Sequence, residues 1–180
     1  MSSLSDRPGP VTRLRILGID PGTVRLGYGV IDHYGPGRDT YVDCGVITAP
    51  ARASRDARLL TIGRDLRELL GELAPDVAAM EQAFFGKNVQ ATLALGEARG
   101  VALFVIQESG REVAGYAPAR VKQTIVGHGQ AGKHQVGFLV KALLKLKRPP
   151  EADAADALAI ALCHARFCGP KASAPRRARA

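Results

Sequence analysis

Short apolar runs separated by turn-forming residues open the patterned part of the chain. Three of them, LRILGID, GYGVIDHY and TYVDCGVI, are divided by clusters of Gly, Pro and Asp. This arrangement is typical of strands joined by short turns. We therefore expect the three strands to pair antiparallel, as a meander.

Later segments alternate between strand and helix patterns. DVAAMEQ lacks polar alternation and predicts a buried strand that ends in Glu81, and REVAGYAP predicts a fifth strand ended by Pro118. Between the third and fourth strands, leucines at spacings of three and four predict a helix that Ser54 caps and Pro75 ends. Further helices are predicted from about Asn88 to Glu108, over ARVKQTIVG and KHQVGFLVKALLKLK, and from about Asp153 to Phe167.

This order of elements predicts an α/β protein with a five-stranded mixed sheet flanked by helices. Three antiparallel strands lead into a parallel part. In such sheets, sites gather at the carboxyl ends of the strands. Gly96 and Gly100 interrupt the second predicted helix one turn apart, which predicts a close approach of another backbone.

Composition bounds the partners and the compartment. The 180 residues contain 25 Lys and Arg against 17 Asp and Glu, a net charge of +8, which favours nucleic acid or an anionic membrane as partner. No apolar run approaches the ~20 residues of a membrane span, and the N-terminal stretch lacks the apolar region of a signal peptide. The three cysteines show neither disulfide nor zinc spacing. A cytoplasmic protein without a membrane partner is the prediction.

The two ends differ from the middle in composition. Residues 1–13 and 169–180 are rich in Pro, Ser, Ala and Arg without periodicity, which predicts a disordered extension and a disordered basic tail. The region between them, 14–168, has the length of one domain.

Four carboxylates are the candidate chemistry of this chain. Asp20 and Glu81 end buried strands, and Asp153 and Asp156 stand three apart on the last predicted helix. Each acid alone has an ordinary explanation, as a turn, an ion pair or a helix cap. Together they predict a cage for hard divalent cations, which take oxygen ligands and can promote phosphodiester hydrolysis.

Aromatic and basic residues near these acids suggest contacts to nucleic acid. Phe84 and Phe85 directly precede Gly86 and Lys87, and aromatic rings can stack on exposed bases. One ring in the core and one exposed is an equally good interpretation. His128, His134 and His164 are candidate bases, for which surface or packing roles are preferred.

With these segments identified, the chain resembles the RuvC family of bacterial Holliday-junction resolvases, within the ribonuclease H-like superfamily. The resemblance covers roughly residues 15–168. It rests on ILGIDPGT, GYGVI, MEQAFFGKN, LGEARGVAL, VKQTIVGHGQAGKHQV and ADAADALAIAL, in that order.

The resemblance implies a role for each matched residue. It implies a ribonuclease H-like fold, catalytic and metal-binding acids at Asp20, Glu81, Asp153 and Asp156, and functionally important lysines at Lys122 and Lys133. A junction-wedging aromatic falls on Phe84, with Phe85 and Lys87 beside it. It further implies a homodimer that nicks two opposed strands of a four-way DNA junction with Mg²⁺ or Mn²⁺, two ions per site, alongside RuvA and RuvB.

Two other functions compete with this one. An actin- or sugar-kinase-type ATP-binding protein also shows Gly-Ile-Asp followed by Gly-Thr, but it needs a duplicated domain for which 180 residues leave no room. A non-catalytic junction- or RNA-binding module on the same fold would gain nothing from four acids placed against phosphates.

Overall fold

A single mixed sheet organises the structure. The computed structural model describes residues 12–82, 88–127 and 133–168. Its strands are β1 (Leu14–Asp20), β2 (Arg25–His33), β3 (Asp39–Thr48), β4 (Val77–Glu81) and β5 (Val113–Tyr116). Their order is β3-β2-β1-β4-β5. β1, β2 and β3 pair antiparallel, whereas β1, β4 and β5 pair parallel, which confirms the predicted meander and mixed sheet.

Helices cover both faces of the sheet. They are α1 (Arg55–Leu73), α2 (Val89–Glu108), α3 (Pro118–Val126), α4 (Lys133–Leu143) and α5 (Ala152–Phe167). The side chain of Ser54 caps α1 as predicted, accepting a hydrogen bond of 3.3 Å from the backbone N–H of Ala57. Pro118 is the first residue of α3, where its missing N–H costs nothing because the first turn of a helix has no partner for it.

Two hydrophobic cores lie on opposite faces of the sheet. Beneath α1 and α2, a core includes Ile19, Leu26 and Met80, each fully buried. Beneath α3, α4 and α5, the other core includes Ile16 and Ile31. At the end of α4 Leu143 is 40% exposed, and the buried position is Leu144, just past the last helical residue.

α5 lies directly on the backbone of β1 and β2. A Cβ atom on Gly18 would lie 2.0 Å from the backbone oxygen of Ala157, and one on Gly27 would lie 2.1 Å from the backbone oxygen of Asp153. A side chain at either position would exclude the helix, so these glycines permit its close approach. Within the described part of the chain no atom lies within 4 Å of a Cβ added at Gly96 or Gly100, so the chain itself does not make the close approach predicted there.

α2 is a long apolar helix that is mostly exposed. By length and composition it meets the requirement for a membrane-spanning helix, because few charges interrupt its alanines, leucines and valines. This differs from the expectation that no apolar run approaches the length of a membrane span. Only 22% of the 18-residue apolar stretch of this helix is buried inside the fold. It nevertheless belongs to the folded domain, since its Glu97 pairs with Arg55 of α1 at 3.3 Å.

Several other expectations concern the ends and the cysteines. No disulfide joins Cys44, Cys163 or Cys168, all of which lie in the described part of the chain. Apart from residues 12 and 13, the ends predicted to be disordered, 1–13 and 169–180, lie outside the described residues.

Candidate active site

Asp20 and Glu81 end neighbouring parallel strands at the same edge of the sheet. The register pairs Ile19 of β1 with Met80 of β4. Asp20 and Glu81 are the next residues of these strands and therefore lie side by side. Neighbouring strands lie about 4.8 Å apart. The sheet therefore brings these two predicted ligands together, at the carboxyl edge where we expected them.

Strand alternation also decides which face the two acids share. Ile19 and Met80 are buried in the core under α1 and α2. Because successive side chains point to opposite faces of a strand, Asp20 and Glu81 lie on the face covered by α5.

α5 places Asp153 beside this edge. Gly27, where an added Cβ would strike the Asp153 backbone, is the register partner of Asp20. Asp156 follows three residues later on the same helix, close enough to share a face with Asp153. The fold thus gathers backbone positions for all four acids around one end of β1.

Arg25 pairs with one of the four acids. At the start of β2, its Nε donates a hydrogen bond of 2.6 Å to Oδ2 of Asp153, and its Nη2 donates one of 2.5 Å to Oε1 of Glu151. The bond to Asp153, followed by that to Glu151, raises the pKa of the Arg25 guanidinium above its ordinary value. Asp153 is therefore held by a cation belonging to the protein itself.

The donor chemistry of these carboxylates suits a divalent metal. Within residues 12–82, 88–127 and 133–168, no three His, Cys, Asp or Glu side chains are grouped closely enough to hold an ion. Four carboxylates on one edge are the donor set that Mg²⁺ or Mn²⁺ prefers.

Two polar residues near this edge, Arg99 and Tyr116, were not predicted. Arg99 of α2 donates a 3.3 Å hydrogen bond from Nε to the backbone carbonyl of Glu81, fixing the end of β4. Tyr116, the register partner of Glu81, hydrogen-bonds through its hydroxyl to Nδ1 of His164 at 2.8 Å. Burial raises the pKa of Tyr116 to about 12, so its hydroxyl is protonated at neutral pH. His164 thus has the packing role preferred from the sequence.

The predicted DNA-contacting residues are less fully placed. Phe84, Phe85 and Lys87 lie outside the described residues, and so does the side chain of Lys133, the first residue of α4. Lys122 is half-buried on α3, next to the buried Val121. The structure therefore leaves these five residues as predictions.

Residues 16–164 match the family model described as crossover junction endodeoxyribonuclease RuvC. The chain belongs to the RuvC family. Its RuvC relative from Rhodopseudomonas palustris (strain BisA53) is 49% identical over 152 residues, which cover 84% of this chain and 87% of that protein. As a member of this family the chain is an endodeoxyribonuclease, an enzyme that hydrolyses phosphodiester bonds.

Solved structures give the same result for the fold. T. thermophilus RuvC, in complex with a Holliday junction substrate, matches with a TM-score of 0.80 at 34% identity, covering 86% of this chain and 94% of that one. The yeast mitochondrial Holliday junction resolvase Ydc2 matches with a TM-score of 0.63 at 14% identity, covering 88% and 82% of the two chains. The predicted ribonuclease H-like fold is confirmed.

Proposed function

We propose that this RuvC-family chain resolves four-way DNA junctions in homologous recombination and DNA repair, by nicking two opposed strands symmetrically. The observation that carries the proposal is the in-register pair Asp20 and Glu81, with Asp153 held over Gly27 beside them. A carboxylate-lined edge on a chain of net charge +8 combines a metal site with attraction for a polyanion. The T. thermophilus relative was solved with a Holliday junction, which supports the choice of substrate.

Each acid has a proposed place in the reaction. Asp20, Glu81, Asp153 and Asp156 would hold Mg²⁺ or Mn²⁺, with two ions per site. Bound there, such ions supply an activated water and stabilise the leaving oxygen. β1 and β4 orient the first two carboxylates, and the docking of α5 against β1 and β2 orients the other two. No serine or cysteine nucleophile is needed.

Lysines and aromatic rings would supply the DNA contacts. Lys122 and Lys133 are proposed to bind phosphates, with Lys87 beside them, because cationic side chains release counterions from DNA on binding. Phe84 is proposed to enter the junction where bases are already partly unstacked, with Phe85 as its neighbour.

A homodimer would place two such sites on one junction, and α2 offers a surface for it. Val89, Leu93 and Phe104 are 69%, 59% and 63% exposed, and they share one side of the helix with Gly96 and Gly100 at spacings of three and four. Exposed apolar stripes of this kind mark interaction surfaces. The glycines would let a partner helix approach closely.

The remaining predictions follow from the family. We propose that the chain acts in the cytoplasm alongside the branch-migration proteins RuvA and RuvB. We also propose that residues 14–168 form one nuclease domain.

Cleavage of a mobile four-way junction tests the function directly. The purified protein is incubated with the junction, with Mg²⁺, with Mn²⁺ or with EDTA, and with linear duplex of the same sequence as control. We expect paired nicks at symmetric positions in two opposed strands of the junction, and binding that survives EDTA while cleavage stops. Tight junction binding without nicks in either metal would instead identify a non-catalytic binding module.

A further inference from the structure

The ion-pair network of Arg25 with Asp153 and Glu151 is a feature that the proposed reaction leaves unexplained. Arg25 lies on β2 and the two acids lie at the start of α5, 128 and 126 residues away in the chain. All three side chains are partly exposed, at 41%, 31% and 61% respectively. The network therefore lies at the open side of the site, where ions from solution can reach it.

The position of Glu151 indicates that the network is more than a helix cap. Glu151 is the N-cap residue of α5, yet its side chain makes no capping hydrogen bond. It accepts a hydrogen bond from Arg25 instead. The other carboxylate on the same guanidinium is the proposed metal ligand Asp153, so Arg25 connects a ligand with a non-ligand acid.

Another arginine of the sheet shows what a structural ion pair looks like here. Arg15 binds Asp32 and also donates a 2.9 Å hydrogen bond to the backbone carbonyl of Leu73, which ties β1 to the end of α1. The Arg25 side chain instead donates its hydrogen bonds to two carboxylates. Its position depends on charge rather than on the backbone.

A divalent ion and the guanidinium would compete for the same carboxylate, that of Asp153. Four carboxylates near one edge repel one another, and a cation among them offsets that repulsion. A doubly charged ion attracts the carboxylate more strongly than a single guanidinium charge does. Glu151 offers the displaced guanidinium a partner.

We propose that Arg25 is a positioning residue, an internal cation that holds the Asp153 carboxylate until a divalent ion displaces it onto Glu151. This inference rests on the proposed function, because it takes Asp153 as a metal ligand. It assigns to Glu151 a role that acts only through Arg25.

The proposal gives opposite effects for the two partners. Arg25→Gln removes the competitor and should tighten metal binding about two- to fivefold, the range that exposed ion pairs support. Glu151→Gln leaves Arg25 on Asp153 alone and should weaken metal binding by a similar factor. In the double variant Glu151→Gln should add nothing, because its effect requires Arg25.

Binding of Mn²⁺ to the DNA-free protein, measured by calorimetry, provides the readout. The variants are Arg25→Gln, Glu151→Gln and their combination, with Arg67→Gln as matched control. Arg67 forms an exposed 2.7 Å ion pair with Glu108 between α1 and α2 and should leave Mn²⁺ affinity unchanged. The Mg²⁺ concentration for half-maximal junction cleavage should shift in the same directions.

Three results would overturn the proposal. In the first, both single variants shift Mn²⁺ affinity in the same direction. In the second, neither single variant differs from Arg67→Gln. In the third, the affinity change of the double variant equals the sum of the two single changes, as a general electrostatic field would give. Asp20→Asn serves as the reference for the metal site. If it leaves Mn²⁺ binding intact, Asp20 is not a metal ligand, and the proposed metal site fails together with this inference.

Discussion

At the residue scale, the four acids have the sharpest expected phenotypes. Asp20→Asn, Glu81→Gln, Asp153→Asn and Asp156→Asn should each reduce junction cleavage by at least about 100-fold, since indirect partners of metal ligands already contribute about 10–100-fold. Junction binding should stay equal or become tighter, because affinity comes from cationic side chains and shape. Single-turnover cleavage and a gel-shift titration measure the two properties separately. Near-normal cleavage by any of these variants would show that the substituted acid is not part of the active site.

Phe84 provides a second test at this scale. Phe84→Ala should weaken junction cleavage much more than nonspecific duplex binding, because a stacked base contributes about 1–3 kcal/mol only where stacking is available. Its melting temperature should equal that of the unmodified protein. Thermal unfolding beside cleavage separates the alternatives, since loss of a core phenylalanine costs about 3–5 kcal/mol and would lower the melting temperature sharply.

Residues of the site differ in how far the sequence could predict them. Asp20 and Glu81 were predictable because each ends an apolar strand, and strand ends of a parallel pair meet at one edge. Arg25 was not, because its partner Asp153 is 128 residues away and only the docking of α5 brings them together. A basic residue five positions after Asp20 is the only signal that the chain offers for it.

At the scale of elements, the interface between α5 and the sheet determines the geometry of the acids. Gly18→Ala would place a Cβ 2.0 Å from the backbone oxygen of Ala157, and neither backbone can move aside cheaply. We expect a loss of about 1–3 kcal/mol in the free energy of unfolding, as for overpacked cores, together with loss of cleavage as Asp153 and Asp156 shift. Denaturant unfolding of the purified variant measures the first effect.

The matched control for this substitution is Gly71→Ala. Gly71 is exposed near the end of α1, and nothing lies within 4 Å of its added Cβ. Alanine is favoured over glycine in helices by about 0.5–1 kcal/mol, so this variant should be slightly more stable. Equal stability of Gly18→Ala and the unmodified protein would show that α5 does not depend on the close contact.

The elements themselves were largely predictable, whereas their contacts were not. Spacings of three and four placed α1 and its Ser54 cap within two residues, because periodicity and capping are local. The glycines show the opposite case. Gly96 and Gly100 were expected to meet another backbone, whereas Gly18, Gly27 and Gly29 are the glycines that meet the backbone of α5. A close approach depends on which elements meet in space, and spacing within one helix does not contain that information.

At the scale of the whole molecule, the exposed stripe of α2 leads to a prediction about assembly. Leu93→Glu should convert a dimer into a monomer, because a charge at the centre of an apolar contact is costly to desolvate. Sedimentation velocity over a range of protein concentrations measures the change. Leu60→Glu on α1 is the matched control, since Leu60 is 75% exposed and lies outside the stripe. A Leu93→Glu protein that remains dimeric would move the interface elsewhere.

The docking of α5 also has a consequence for synthesis on the ribosome. All five strands precede α5 in the chain, and chains emerge from the ribosome from the N-terminus onward. A nascent chain that extends only to Pro150 can pair its strands, but it lacks Asp153 and Asp156 and leaves Ile16 and Ile31 without the cover of α5. DNA cutting is therefore acquired late in translation, when α5 emerges and covers the sheet.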